Sequence, residues 1–155
     1  MYRQREVYMN REQFLEYVDH FNNKRYDKVT SYFAPDITVE YFTNFLDPLA
    51  PARTLHGPKE FIASYAALHD YAREAMELGV FVSQGDLMFV ELYTEFHWFR
   101  DHPADARPAI FAKEPPKKGH VAVMTNWVLY NMEREKMKRI RIAHFRMHDP
   151  ASARL

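Results

Sequence analysis

The chain has 155 residues, 47% of them hydrophobic and 15% aromatic, which is enough for one domain with a core and an internal cavity. Lys plus Arg and Asp plus Glu both number 21, so no charge footprint points to nucleic acid or an anionic membrane. With no cysteine, disulfides, zinc–thiolate centres and cysteine nucleophiles are excluded, and only 4 glycines leave no phosphate-cradling loop.

Asn10 and Gln13 form a capping-box pattern that opens a helix through residue 21, with Phe14, Val18 and Phe21 at helical spacing. A second, short helix carries Tyr26, Val29 and Phe33 on one side and stops at Pro35. Residues 36–45 alternate as a strand that places Ile37, Val39 and Tyr41 on one face. An irregular stretch containing Pro48 and Pro51 follows, and Gly57-Pro58 starts another helix. Its apolar stripe is Phe61, Ile62, Tyr65 and Leu68, and His69 falls on the same stripe, four residues after Tyr65.

Long strands are expected at 72–82, 87–101, 119–132 and 136–148, with turns at Gly85-Asp86 and at residues 133–135. Residues 102–118, with Pro103, Pro108, Pro115 and Pro116, read as a loop at the rim of a cavity. Helices followed by antiparallel strands make an α+β pattern, with helices covering one face of a curved sheet. One domain over 1–155 is expected, with an extension at 1–9 and a tail at 149–155. The first ten residues have no apolar core of a signal peptide, and no run nears the roughly 20 residues that span a bilayer, so a soluble cytoplasmic protein is expected.

Both faces of the long strands are largely apolar. One face of 87–101 reads Met88, Val90, Leu92, Thr94, Phe96, Trp98, and the other reads Phe89, Glu91, Tyr93, Glu95, His97, Phe99. Two such faces need two covers: the chain's own helices and, most simply, a second subunit, so a homo-oligomer is expected. If the mixed face lines the interior, Tyr41, Tyr93, Glu95, His97, Asn126 and Tyr130 surround a cavity that takes an oxygenated ligand, with His69 entering from the helix. The opposite assignment places them outside, and periodicity does not choose between the two.

YDKVTSYFAPDITVEYFTNFLD, AALHDY, TEFHWFRD and GHVAVMTNW occur in the order found in scytalone dehydratases. From about residue 12 to 148 the chain resembles that group of the nuclear-transport-factor-2-like (SnoaL-like polyketide cyclase) superfamily. The resemblance implies a cone-shaped barrel of curved antiparallel sheet under N-terminal helices, and a dimer or trimer. It also implies cofactor-independent lyase or isomerase chemistry, of dehydratase or cyclase type, on an oxygenated aromatic or polyketide-like molecule. By the same resemblance Tyr41, His69 and His97 are the catalytic positions and Asn126 contacts substrate. Tyr93, Tyr130, Met124 and Ile142 are further expected pocket positions. Phe21-Asn22 stands where the family has a Tyr-Asp pair whose Asp supports a catalytic histidine. Glu95, two residues before His97, is the candidate replacement for that carboxylate.

The chemistry fits the residue types. Dehydration beside a carbonyl, enolisation and aldol closure all take a proton from carbon and give one to oxygen. Imidazoles that titrate near pH ~6.5 serve both steps. A two-histidine, one-carboxylate metal set from His69, His97 and Glu95 is the lesser alternative, because no short His spacing supports it. His144 and His148 lie too far apart on a strand to share a metal. A non-catalytic binding or adaptor module of the same fold is the second function reading. It predicts docking through Trp98 or Trp127.

Overall fold

The computed structural model describes residues 8–42, 51–105 and 114–155. Helix α1 (Arg11–Asn22) begins at the expected capping box: the Asn10 side chain accepts from the Gln13 amide and the Gln13 side chain from the Asn10 amide, both at 2.9 Å. Its buried stripe is Phe14, Tyr17, Val18 and Phe21. Helix α2 (Tyr26–Thr30) is one turn shorter than expected. Phe33 and Pro35 instead belong to strand β1 (Phe33–Phe42), where the register with its neighbour shifts between Phe33 and Thr38. A proline, which donates no ladder bond, is tolerated at such an irregularity.

Strand β2 (Arg53–His56) is a short edge strand inside the segment read as irregular. Helix α3 (Gly57–His69) has Pro58 in its first turn and ends on His69. Strands β3 (Ala72–Gln84), β4 (Leu87–Trp98), β5 (Val121–Glu133) and β6 (Lys136–His148) are the four expected long strands, and a 3-10 turn at Pro150–Ser152 follows. The far end of the strand expected at 36–45 and the central part of the loop expected at 102–118 lie outside the described residues.

The sheet is mixed and open, in the order β2-β1-β6-β5-β4-β3, with β1 parallel to β6 and the other pairs antiparallel. This is the expected α+β cone of a curved sheet under helices, with the difference that the sheet is open and one of its strand pairs, β1–β6, is parallel. Helices α1 and α3 cover its concave face, and their apolar stripes join Val39, Leu92, Val128 and Ile140 in the main core. Asn22 ties α1 to the free edge of the sheet: its side-chain amide donates to the Met76 carbonyl and accepts from the Met76 N–H, each at 2.8 Å. The side chain thereby satisfies both backbone groups of an edge residue.

Ladder register decides which side chains face the helices. Leu92 pairs with Asn126 and Tyr93 with Thr125, and paired residues share a face. The even-numbered residues of β4, Leu92, Thr94 and Phe96, therefore stand on the concave side with Asn126 and Tyr130. Tyr93, Glu95 and His97 stand on the convex side with Val123, Thr125 and Trp127. The expected grouping of His97, Glu95 and Tyr93 with Asn126 inside one cavity is corrected by this register.

Candidate active site

Between the concave sheet and α1 and α3 lies a cavity of about 790 Å³, within the usual range for small organic ligands. Its walls are mostly apolar: Phe21 from α1, Phe61 and Leu68 from α3, and Met76, Leu92, Phe96, Val128, Ile140 and Ile142 from the sheet. The polar groups set into these walls include Tyr41, Tyr65, Glu74, Thr94, Asn126, Tyr130 and His144, with Arg53, Glu60, Asp70 and His102 also in the lining.

Strand β3 delivers Glu74 to the cavity. The turn at Gly85-Asp86 pairs Gln84 with Leu87, but the register shifts between Leu78 and Phe81, so that beyond it Glu74 pairs with Phe96 and shares its face. Glu74 is 7% exposed. Burial pushes its carboxyl above the ordinary carboxylate value, against the hydrogen bond and charge of His69. His69, last residue of α3 and itself buried, stands behind this carboxyl and is not part of the wall. Its Nε2 is 2.8 Å from Glu74 Oε2, and its Nδ1 is 2.6 Å from the Tyr26 hydroxyl. The catalytic position expected at His69 thus reaches the cavity through a carboxylate that the sequence did not single out.

A second polar group comes from β1 and α3. The hydroxyls of Tyr41 and Tyr65 are 2.6 Å apart. Burial raises the pKa of both well above that of a free phenol, and the Glu74 charge adds to the rise. Both rings therefore keep their protons, and in a phenol pair the accepting hydroxyl still has its own O–H to give a ligand oxygen. Tyr65 was expected only as part of an apolar stripe.

The third group sits on β5 and β6. His144 Nδ1 is 2.6 Å from Asn126 Oδ1, and the Asn126 amide donates to Thr94 Oγ1 at 3.2 Å. Bonded in this way, the imidazole carries its proton on Nδ1. Burial lowers its pKa to about 4, so it is neutral at physiological pH. One register shift along β5–β6, between Asn131 and Met132, brings His144 opposite Asn126, a placement that strand alternation does not reveal.

Among the expected pocket residues, Tyr41, Asn126, Tyr130, Phe21 and Ile142 line the cavity. Asn22 is exposed and engaged with the backbone of β3. Met124 is fully buried in a smaller cluster with Ala72, Phe96, Trp98 and Ala122, beyond the cavity wall. Trp98, at 2% exposure, belongs to the same cluster and offers no docking surface.

His97 does lie against Glu95, at 2.8 Å, but on the outside of the sheet, and its side chain is 31% exposed. Glu95 has 0% exposure and accepts from four donors: the Arg154 amide (2.7 Å), the Leu155 amide (2.9 Å), the Tyr93 hydroxyl (2.9 Å) and His97. Burial works to raise its pKa, but the Arg154 amide, the His97 ring, the Leu155 amide and the Tyr93 hydroxyl together hold it down at about 2. Glu95 is the anchor of the tail at 149–155, not a group of the cavity. Since His69 and His97 flank opposite faces of the sheet, the two-histidine, one-carboxylate metal set has no geometry to support it.

Among the solved structures that share the fold, three illustrate the likeness. A candidate polyketide cyclase from Xanthomonas campestris pv. campestris is 13% identical and aligns over 84% of this chain and 85% of its own, with a TM-score of 0.63. A nuclear-transport-factor-2-like protein of unknown function from Burkholderia pseudomallei is 15% identical over 89% and 88%, with a TM-score of 0.60. An epoxide hydrolase of M. tuberculosis is 7% identical over 82% and 75%, with a TM-score of 0.57. No curated protein matches the sequence. The sequence pattern of the SnoaL-like domain, in contrast, matches residues 14–140. With that match laid over an open cone of this topology, the chain belongs to the SnoaL-like domain family.

Proposed function

We propose that the protein is a cofactor-independent lyase or isomerase, of dehydratase or cyclase type, for an oxygenated aromatic or polyketide-like ketone. The observation that carries this reading is a buried carboxyl, Glu74, in the same apolar cavity as the paired hydroxyls of Tyr41 and Tyr65. A carboxyl lifted toward neutral pH is suited to take a proton from carbon and to return it. Glu74 removes the hydrogen next to the carbonyl, and the C–H electron pair becomes the enolate. The hydroxyl pair donates to the oxygen as it gains charge. The proton on Glu74 then goes to a leaving hydroxyl, which departs as water, or to another carbon, which completes an isomerisation. His69 holds the carboxyl from behind. Asn126 and His144 meet a second oxygen function across the sheet.

The test uses 2-tetralone, a bicyclic aryl ketone with acidic α-hydrogens, in D2O. Proton NMR should show protein-dependent exchange of those hydrogens, and 2-naphthol, which mimics the flat enol, should inhibit it. A protein that binds 2-naphthol but exchanges nothing from a panel of such ketones is a binding module, and the enzymatic reading is then wrong.

The homo-oligomer belongs to the same proposal. The tail covers only part of the convex face. Elsewhere Phe145 (50% exposed) and Val82 (55%) stand open, with Trp127 stacked on Phe145 at 3.7 Å. A self-complementary contact through this patch would remove it from water. Phe145→Asp should convert the assembly to monomers in sedimentation velocity while tetralone exchange persists. An unaltered sedimentation coefficient would place the contact elsewhere.

A further inference from the structure

Tyr26 is the residue of α2 that reaches the site, although it does not touch the cavity. Its ring lies nearly parallel to that of His69, at 15° with centroids 5.9 Å apart, and its hydroxyl meets Nδ1 at 2.6 Å. The imidazole is packed on its other sides by Phe21 from α1 and Tyr65 from α3, with ring centroids at 5.8 and 5.9 Å. Lys24, in the turn between α1 and α2, is directed to the His69 backbone carbonyl at 3.4 Å and not to the ring. The two ring nitrogens therefore face two different chemistries: a phenol at Nδ1 and a carboxyl at Nε2.

We infer that Tyr26 is a positioning residue, whose hydroxyl fixes His69 in the tautomer that presents Nε2–H to Glu74. A partly buried phenol keeps its proton, and burial raises its pKa further. The Tyr26 O–H donates to Nδ1 when that nitrogen holds the lone pair, and the one proton of such a ring then sits on Nε2, facing a carboxylate oxygen that only accepts. There it donates to Glu74 Oε2 and favours the carboxylate, the form that accepts a proton from carbon. Without the hydroxyl, the proton is free to move to Nδ1. Nε2 would then turn a lone pair toward the carboxylate, and the charged form of Glu74 would lose its donor.

This arrangement also accounts for the missing Tyr-Asp pair. Phe21 and Asn22 occupy those positions, while the carboxylate that supports the histidine comes from β3 and the hydroxyl from α2.

The tautomer can be read without any substrate. In protein labelled with 15N-histidine at pH 7, His69 should be protonated on Nε2 alone. In Tyr26→Phe, which keeps the ring and loses only the oxygen, the Nδ1–H form should appear. For the chemistry the inference rests on the Glu74 reading. In tetralone exchange, kcat should fall about tenfold while KM stays within about twofold. His69 held wholly as Nε2–H in the variant would overturn the inference. So would a wild-type ring protonated on both nitrogens, because the phenol would then be an acceptor. Full turnover by Glu74→Gln would instead remove the catalytic reading and leave the tautomer result standing.

Discussion

Glu74→Gln should lower tetralone exchange by roughly 10²- to 10⁴-fold, the usual contribution of a positioned general base. Glutamine has the size of the carboxyl and keeps an oxygen for His69, so the cavity should still bind 2-naphthol with little change in affinity. This separates loss of chemistry from loss of the pocket. A second readout comes from stability against pH. The folded-state carboxyl binds its proton more tightly than the unfolded chain, whose ordinary value is 4.5. The native state therefore holds more protons above that pH, and stability declines as pH rises from 4.5 toward the folded value. Chemical denaturation across this window should show the decline in the wild type and its loss in the variant. Wild-type exchange rates in Glu74→Gln would remove Glu74 from the chemistry.

Glu95→Ala should act in the opposite manner, on stability and not on turnover. The carboxylate receives two backbone amides of the tail, a phenol and an imidazole, and Arg154 adds a bidentate contact to Glu77 at 2.8 and 2.6 Å. Removing the acceptor leaves these donors without a partner unless the tail lifts into water, so the cost is limited by what docking the tail contributes, about 2–3 kcal/mol. For a chain of this length that is a fall in Tm of roughly 4–12 °C. Hydrogen exchange at the amides of Arg154 and Leu155 should rise to that of an undocked segment. The folded pKa is depressed, so the contribution is complete above 4.5, the ordinary value, and is lost as pH falls toward about 2. A variant with normal stability but slow exchange would restore Glu95 to the chemistry, the role first expected from its place beside His97.

Much of the architecture was legible from local chemistry. The capping box set the start of α1, Pro58 the start of α3, and turn residues the junctions β3–β4 and β5–β6, because each of these signals acts within a few residues. Strand β2 escaped notice because its four residues carry too little alternation to distinguish a short edge strand from a loop. Phe33 escaped the helix pattern because the ladder with β6 outweighs a single turn of apolar spacing.

The site divides along the same line. Sequence alone determined which residue types were available and that the strands alternate with period two. It placed Tyr41, Asn126 and Tyr130 on a face that proves to line the cavity. It could not determine how two strands joined through residues 99–120 align, since a long connection leaves register free where a tight turn would set it. Nor could it place the register shifts in β3 and between β5 and β6, each of which turns the following side chains to the other face. Those long-range pairings brought Glu74 and His144 inward and sent Glu95 and His97 outward. The tertiary structure therefore decided which histidine meets which carboxylate, and on which side of the sheet, because the free energy that fixes register lies in contacts between segments far apart in the chain.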